Sequence, residues 1–218
     1  MGKLTATAIV ERALEIGDAE GLDAVTIRRL ATDLGVTPMA LYWHFKNKDL
    51  LLVGMADHLL AGFTLEPIAG DSWQRGLRAL VEDLIRVLRR HAVALAVLET
   101  VGHTEAYSFL KIWDRALGLA RAAGFTADES CLISNFLLKG AVSIAGASSR
   151  VMLLATATEM HRLKVLRLQS LPVREFPNLV AMAVPMIEGS SDELYDTFGV
   201  DLLLSGIETL AARRAVSP

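Results

Sequence analysis

The sequence is poor in the features that would staple a chain, anchor it in a membrane or charge it strongly. One cysteine, Cys131, occurs in 218 residues. No intramolecular disulfide framework is therefore possible, and a reducing compartment is the natural home. No apolar run approaches the roughly 18 residues that span a bilayer, and the N-terminal residues, with Glu11 and Glu15, do not read as a signal peptide. A soluble, cytoplasmic protein with no membrane partner is expected. The net charge is only −3, so general attraction to nucleic acid is not expected and any DNA binding has to come from a local patch. No stretch alternates apolar and polar residues long enough to build a sheet, and no internal repeat is visible. A GxSxG elbow, a phosphate-binding glycine loop and a paired His-Glu metal motif are all missing, which argues against an enzyme and leaves no cofactor to expect. His91, His103, Glu99, Glu105, Glu159 and His161 lack the spacing of a metal site and read as solvated helix faces.

Apolar residues at helical spacing are present nearly everywhere, so the fold class expected is all-α. The first helix reads from Thr5 to Glu20, with Ile9, Ala13, Ile16 and Gly17 inward and Gly21 as its stop. Asn47 can cap a helix reaching about Ala61. Ser72 can cap another, to about Arg90, whose stripe is Leu77, Leu80, Val81, Leu84, Ile85 and Leu88. Further helices are expected at about 92–100, 104–123, 127–149, 151–169, 177–187 and 192–214, with Gly124, Pro172, Pro177, Pro185 and Gly189 as stops or kinks. Glu66-Pro67 and Gly70-Asp71 break the pattern, which places a boundary near residues 62–71 between a domain at 1–62 and a larger one at 63–218. Cys131, beside Leu132 and Ile133, reads as a buried helical thiol.

The stretch from Thr26 to Lys48, TIRRLATDLGVTPMALYWHFKNK, carries the most information. Thr26 is an N-cap, after which Ile27, Leu30, Ala31 and Leu34 recur on one face. Gly35 suits the left-handed conformation that ends a helix. Thr37 is a second N-cap, with Pro38 at the first helical position, where its missing N–H had no partner anyway. Two helices joined so tightly cross steeply, which is the helix-turn-helix geometry. In it the start of the second helix meets base edges in the major groove. Arg28, Arg29, Lys46 and Lys48 flank the pair, with Asp33 opposing them inside the segment. Over residues 1–62 the eight acids (Glu11, Glu15, Asp18, Glu20, Asp23, Asp33, Asp49, Asp57) outnumber six cations (Lys3, Arg12, Arg28, Arg29, Lys46, Lys48). Clustering offsets this, because charges more than about 8 Å away are largely screened in the cell.

LYWHFKNKDLL, preceded by GVTP and by the TIRRLA helix, resembles the DNA-binding domain of the tetracycline-repressor (TetR) family over about residues 5–60. FGVDLLLSGIE, from Phe198 to Glu208, resembles the last helix of one subgroup. The resemblance implies an all-helical homodimer with an N-terminal three-helix reading head and a C-terminal effector-binding and dimerisation domain. It also implies that Tyr42 and His44 contact the DNA backbone and that Trp43 lies near the DNA, although a partly buried packing role suits so large a residue equally. By position alone, Met39 and Ala40 offer apolar contacts to thymine methyls, and Thr37 caps or reaches a phosphate or base. Arg28 is placed for guanine or a phosphate, and Lys48 for a phosphate at a helix N-terminus. Leu41 and Phe45, four apart, face inward.

A dimer on a near-palindromic operator is the geometric expectation for so small a head. The helices at 127–149 and 192–214 are the dimer candidates, the first for its small residues from Gly140 to Ser149, with close packing inside one subunit as the alternative, the second for Leu202, Leu203, Ile207, Leu210 and Ala211. An effector cavity between the helices at 72–90, 92–100, 104–123 and 127–149 would take an apolar or aromatic small molecule, with His103, Tyr107, Phe109, Trp113, Asn135, Phe136 and Met152 as candidates, and packing as the alternative for each. A magnesium-tetracycline complex is not expected. The family binds it through a mid-domain histidine and an acid of the dimer helix, whereas Leu98 to Thr100 lacks the histidine and Gly140 to Ser149 lacks the acid.

Overall fold

Short polar side chains start most helices in the N-terminal half. The computed structural model describes residues 4–63, 72–102, 104–154, 158–188 and 192–216. Thr5 caps α1 (Ala6–Glu20) by accepting from the Ala8 amide at 3.1 Å, and Gly21, at φ 86°, ends it. One 3₁₀ turn (Leu22–Ala24) leads to α2 (Ile27–Asp33), capped by Thr26. Thr37 and Asn47 cap α3 (Pro38–Tyr42) and α4 (Lys48–Leu60), and Ser72 caps α5 (Trp73–Leu88). Each cap gives an acceptor to a first-turn N–H that no residue of its own helix can serve. Beyond α5 come α6 (Ala94–Thr100), α7 (Tyr107–Ala122) and α8 (Ala127–Leu154). The last four are α9 (Thr158–Gln169), α10 (Pro177–Ala181), α11 (Ala183–Glu188) and α12 (Asp192–Val216).

Two boundaries differ from the sequence reading. The run of small residues does not end a helix near residue 150; α8 continues to Leu154, because nothing in it denies the backbone its bonds. The helix expected at 177–187 is two, divided at Met182, where φ −104° and ψ 12° leave the helical basin. The domain boundary at 62–71 lies mostly outside the described residues.

The head is α1 to α4 around Ile9, Leu14, Leu30, Leu41, Leu51 and Met55, all fully buried. Burying one such side chain contributes about 1.5–3 kcal/mol. The fourth helix also packs on α5, α6 and α7, while α5, α7, α8 and α12 enclose Leu77, Leu84, Ile112 and Leu137. The buried residues thus form one continuous cluster from Ile9 to Ile207. Arg78 of α5 bonds Asp201 of α12 at 2.6 Å, and Arg89 binds Asp196. Helices α9 to α11 pack mainly on one another, and Ala183 is the buried residue there among those described. Cys131 is exposed, against expectation: Ser130, Ile133, Ser134 and Leu137 take the inward stripe of α8, and Cys131 lies off it. Among the described residues there is no strand, and no helix is long and apolar enough to cross a membrane.

Candidate nucleic-acid interface and effector cavity

Gly35, at φ 65°, turns the chain between α2 and α3, and the Val36 amide donates back to the Ala31 carbonyl at 3.0 Å. The five-residue α3 is too short to hold itself. Leu41 fastens it, fully buried, and so does the Phe45 ring, which lies so close to α4 that a Cβ on Gly54 would sit 2.7 Å from Phe45 Cε1. With those two side chains inward, the others of this segment face out. Met39 is 67% exposed, Tyr42 43% and Trp43 85%. The exposure of Trp43 removes the packing alternative for it. Pro38 and His44 are also exposed, and Ala40 is partly so. The Thr26 and Thr37 hydroxyls accept from Arg29 N at 3.1 Å and Ala40 N at 3.4 Å. A hydroxyl used this way keeps its own O–H to donate elsewhere.

The cations divide into two groups. Arg29 is committed inside the head, with Nη2 2.8 Å from Glu20 Oε1 and Nε 3.1 Å from Asp33 Oδ1. Asp33 also receives Arg12 Nη2 from α1 at 2.9 Å. The Arg12 guanidinium, with Arg29 behind it, holds the Asp33 carboxyl below the usual carboxylate range. Arg28, Lys46 and Lys48, by contrast, have no ion-pair partner among the described residues, and Lys48 opens α4, whose dipole adds positive potential.

A cavity of about 130 Å³ lies where α6, the turn after it, α7 and α8 meet. Leu98, Val101, Phe109 and Leu138 make its apolar walls, Trp113 and Asn135 join them, and the exposed Glu99 and Lys139 stand at its edge. The indole N–H of Trp113 donates to Ser134 Oγ at 3.2 Å, which donates in turn to the Cys131 carbonyl. That fixes the ring edge-on to Phe109 at 6.3 Å between centroids.

Of the seven cavity candidates from the sequence, the structure brings together Phe109, Trp113 and Asn135. Tyr107 is 65% exposed, with Lys111 Nζ 4.7 Å above its ring, and does not line the cavity. Phe136, 69% exposed, points instead into a surface groove with Leu132 and Leu210, because it lies one helical step off the inward stripe of α8. His103 and the side chain of Met152 lie outside the described residues. The sequence reading took Glu99 for a solvated helix face and passed over Val101, Gly102 and Lys139, which belong to no motif, and Ser134, whose only signal is its place one turn after Ser130 on a buried face.

The family model "Bacterial regulatory proteins, tetR family" matches residues 9–55, and "Tetracyclin repressor-like, C-terminal domain" matches residues 66–211. The chain belongs to the tetR family. This makes it a ligand-responsive, DNA-binding transcription regulator of a family whose members are dimers. The chain is 27% identical over 212 residues to the tetracycline repressor protein class D of Escherichia coli, covering 95% of this chain and 91% of that one. It is 28% identical over 220 residues to the HTH-type transcriptional repressor DrrR1 of Streptomyces coeruleorubidus, covering 97% and 80%. The Streptomyces coelicolor TetR family protein ActR, solved in complex with actinorhodin, is similar over 96% of this chain and 99% of that one, with TM-score 0.82 and 26% identity. These relatives are repressors and regulators, not enzymes.

In this tetR family member, the expected dimer helices pack on each other within one subunit. Gly140 admits Leu203, whose Cδ1 would lie 2.6 Å from a Cβ there, and Gly199 admits Ile144 in the same way. The small residues Gly140 and Gly199 therefore serve intrasubunit packing, and Leu203 and Ile207 turn inward, contrary to the face drawn from the sequence. What the pair leaves outside is Leu132 and Phe136 on α8 and, on α12, Leu202 and Leu210 of the expected face together with Leu194 and Phe198, each about half exposed or more.

Proposed function

We propose that the chain is a homodimeric repressor that occupies a near-palindromic operator and leaves it when an apolar or aromatic small molecule enters the cavity between α6, α7 and α8. The observation that carries this reading is the division of labour in α3. Leu41 and Phe45 hold it while Met39, Tyr42 and Trp43 are presented outward beside Arg28, Lys46 and Lys48, which have no ion-pair partner among the described residues. Residues 1–62 act as the reading head and 63–218 as the effector and dimer domain.

In this reading Met39 and Ala40 meet base edges through apolar contacts, and Arg28 reads guanine. Thr26, Thr37, Tyr42, Trp43, His44, Lys46 and Lys48 position the head on phosphate and sugar, with Pro38 setting the start of α3. The exposed leucines and phenylalanines of α8 and α12 form the dimer face, which sets the two recognition helices roughly 34–36 Å apart. Phe109, Trp113 and Asn135 contact the effector. A cavity of this size takes about one aromatic ring, as an apolar cavity of about 150 Å³ takes benzene. A larger effector has to push α6 and α7 apart, and that movement is what reaches the head. The ActR complex with actinorhodin supports a small-molecule ligand. Work on DNA places the protein in the cytoplasm, and no enzymatic activity is part of its role.

The test is selection of random duplex DNA by the purified protein, with affinity for the enriched sequence measured at two salt concentrations. A two-fold symmetric site with a steep salt slope is the expected result, and the selected duplex then serves as the probe in a screen of aromatic compounds for release. Failure to enrich any sequence would favour a ligand-binding helical protein without sequence-specific DNA binding.

A further inference from the structure

Two helices that line the effector cavity begin on residues that cannot cap them. Helix α6 starts after Val93 and α7 after Ala106, and neither makes a side-chain cap bond. The helices α1 to α5 are capped by their own Thr5, Thr26, Thr37, Asn47 and Ser72. Thr126 and Glu129 form a reciprocal capping box at the start of α8. The open amides of α6 and α7 are served from the other domain. Asp18, near the end of α1, accepts from Val93 N at 3.0 Å through one oxygen and contacts His91 Nδ1 at 2.7 Å through the other. Asp57 of α4 accepts from Ser108 N, in the first turn of α7, at 2.7 Å.

These bonds reach across 75 and 51 residues of sequence, and both carboxylates belong to the DNA-reading head. Between the two anchored amides lies the stretch 93–108. It supplies Leu98, Glu99, Val101, Gly102 and Ala106, five of the eleven residues that line the cavity. The first anchor is also packed closely, since a Cβ on Gly17 would fall 2.8 Å from Val93 Cγ2. A helix start without a local cap is the weakest part of a helix, and whatever caps it controls whether its first turn stays wound.

We infer that Asp18 and Asp57 are the coupling residues of this regulator: two carboxylates of the head that cap α6 and α7, so that both cavity walls stay wound only while α1 and α4 keep the positions they hold now. The inference rests on the proposed opposition of effector and operator. Operator binding holds α1 and α4 and so keeps both caps made. An effector that spreads α6 and α7 draws the amides from the carboxylates, and the head is released. Coupling of this kind is reciprocal, so DNA alone reports on it and no effector is needed for the test.

The experiment is amide hydrogen exchange on the full-length protein, free and saturated with the duplex from selection. In the wild type, duplex slows exchange at least threefold in peptides covering 93–100 and 107–113. Asp57→Ala abolishes the duplex-dependent slowing at 107–113 and leaves it at 93–100, while Asp18→Ala does the reverse. Both keep their affinity for the duplex within about threefold, as judged by titration. Asp57→Asn, which keeps an acceptor oxygen, retains the response. The ratio of rates with and without duplex is the decisive quantity, because a purely structural cap would raise both rates and leave the ratio alone. An unchanged ratio in both alanine variants overturns the inference. So does a wild type that binds duplex with no response at either peptide, a result that leaves DNA binding standing. If no duplex is enriched, the regulator reading falls and the inference with it. Circular dichroism identifies a variant that fails to fold, in which case the other variant decides.

Discussion

Replacing Gly54 with alanine puts a methyl group into space that the Phe45 ring occupies. The added carbon would lie 2.7 Å from Phe45 Cε1, 3.2 Å from Cζ and 3.5 Å from Val10 Cγ2. Carbon atoms settle at about 3.5–4.0 Å, so the ring has to retreat by nearly 1 Å. Overpacking of this kind costs about 1–3 kcal/mol, and the better helix propensity of alanine returns up to about 1 kcal/mol. The expected net loss is about 1 kcal/mol, or roughly 2–4 °C in Tm for a chain of this length. Gly118→Ala is the matched control, since nothing lies within 4 Å of a Cβ there. It should stabilise by up to about 1 kcal/mol through propensity alone. The two substitutions are chemically identical, so their difference isolates the Phe45 contact. Urea unfolding at one protein concentration gives both values. Phe45 also anchors the end of α3, so Gly54→Ala weakens binding to every duplex, whereas Gly118→Ala does not. If Gly54→Ala stabilised the protein as much as Gly118→Ala, the ring would be free to move and the account of how α3 is held would be wrong.

Three further outcomes are expected. Lys48→Ala weakens binding about equally on all DNA sequences and lowers the slope of log affinity against log salt by about 0.9 per phosphate lost; an unchanged slope would move the docking away from α4. Asp33→Asn alters the acid limb of stability. A carboxyl held below its usual range contributes stability that is complete above the unfolded value of about 3.9 and is lost as pH falls through the lower folded value. The wild type therefore exceeds Asp33→Asn most near pH 6, and the two converge toward pH 2 in thermal melts; parallel curves at all pH values would discount the Arg12–Asp33–Arg29 network. Trp113→Ala and Asn135→Ala reduce affinity at least tenfold for any effector recovered in the screen, measured by calorimetry, while Phe136→Ala and Tyr107→Ala leave it within about twofold. The opposite ranking would move the ligand to the groove between α8 and α12.

What the sequence made legible was the chemistry that closes within three or four residues of chain. Thr26, Thr37, Asn47 and Ser72 each find their partner amide three positions on, so their caps could be read without knowing the fold. Gly35 and Gly21 likewise announce a left-handed backbone by themselves. Arg29 shows where that reach ends: one of its acids, Asp33, is four residues away, but Glu20 is nine away and across a turn. Periodicity placed Phe136, Tyr107 and Cys131 on helices without saying which side of each helix the neighbours would cover. Helix α8 touches α5, α7 and α12, and only the packed fold shows that its inward stripe includes Ser134 and excludes Phe136. The bonds of Asp18 and Asp57 leave no local trace, because their amides belong to hydrophobic stretches far along the chain.

Outward and inward positions alternate within the seven residues from Met39 to Phe45, in α3 and just after it, with Met39, Tyr42 and Trp43 on one side and Leu41 and Phe45 on the other. Substitution at such exposed positions usually changes stability by no more than about 0.5 kcal/mol, whereas the inward pair, Leu41 buried and Phe45 partly so, tolerates little. A lineage carrying this fold can therefore change the promoter it occupies without first acquiring compensating changes in its interior. After gene duplication, two copies diverge in target while remaining the same shape, and both inherit the same cavity and the same link from cavity to head.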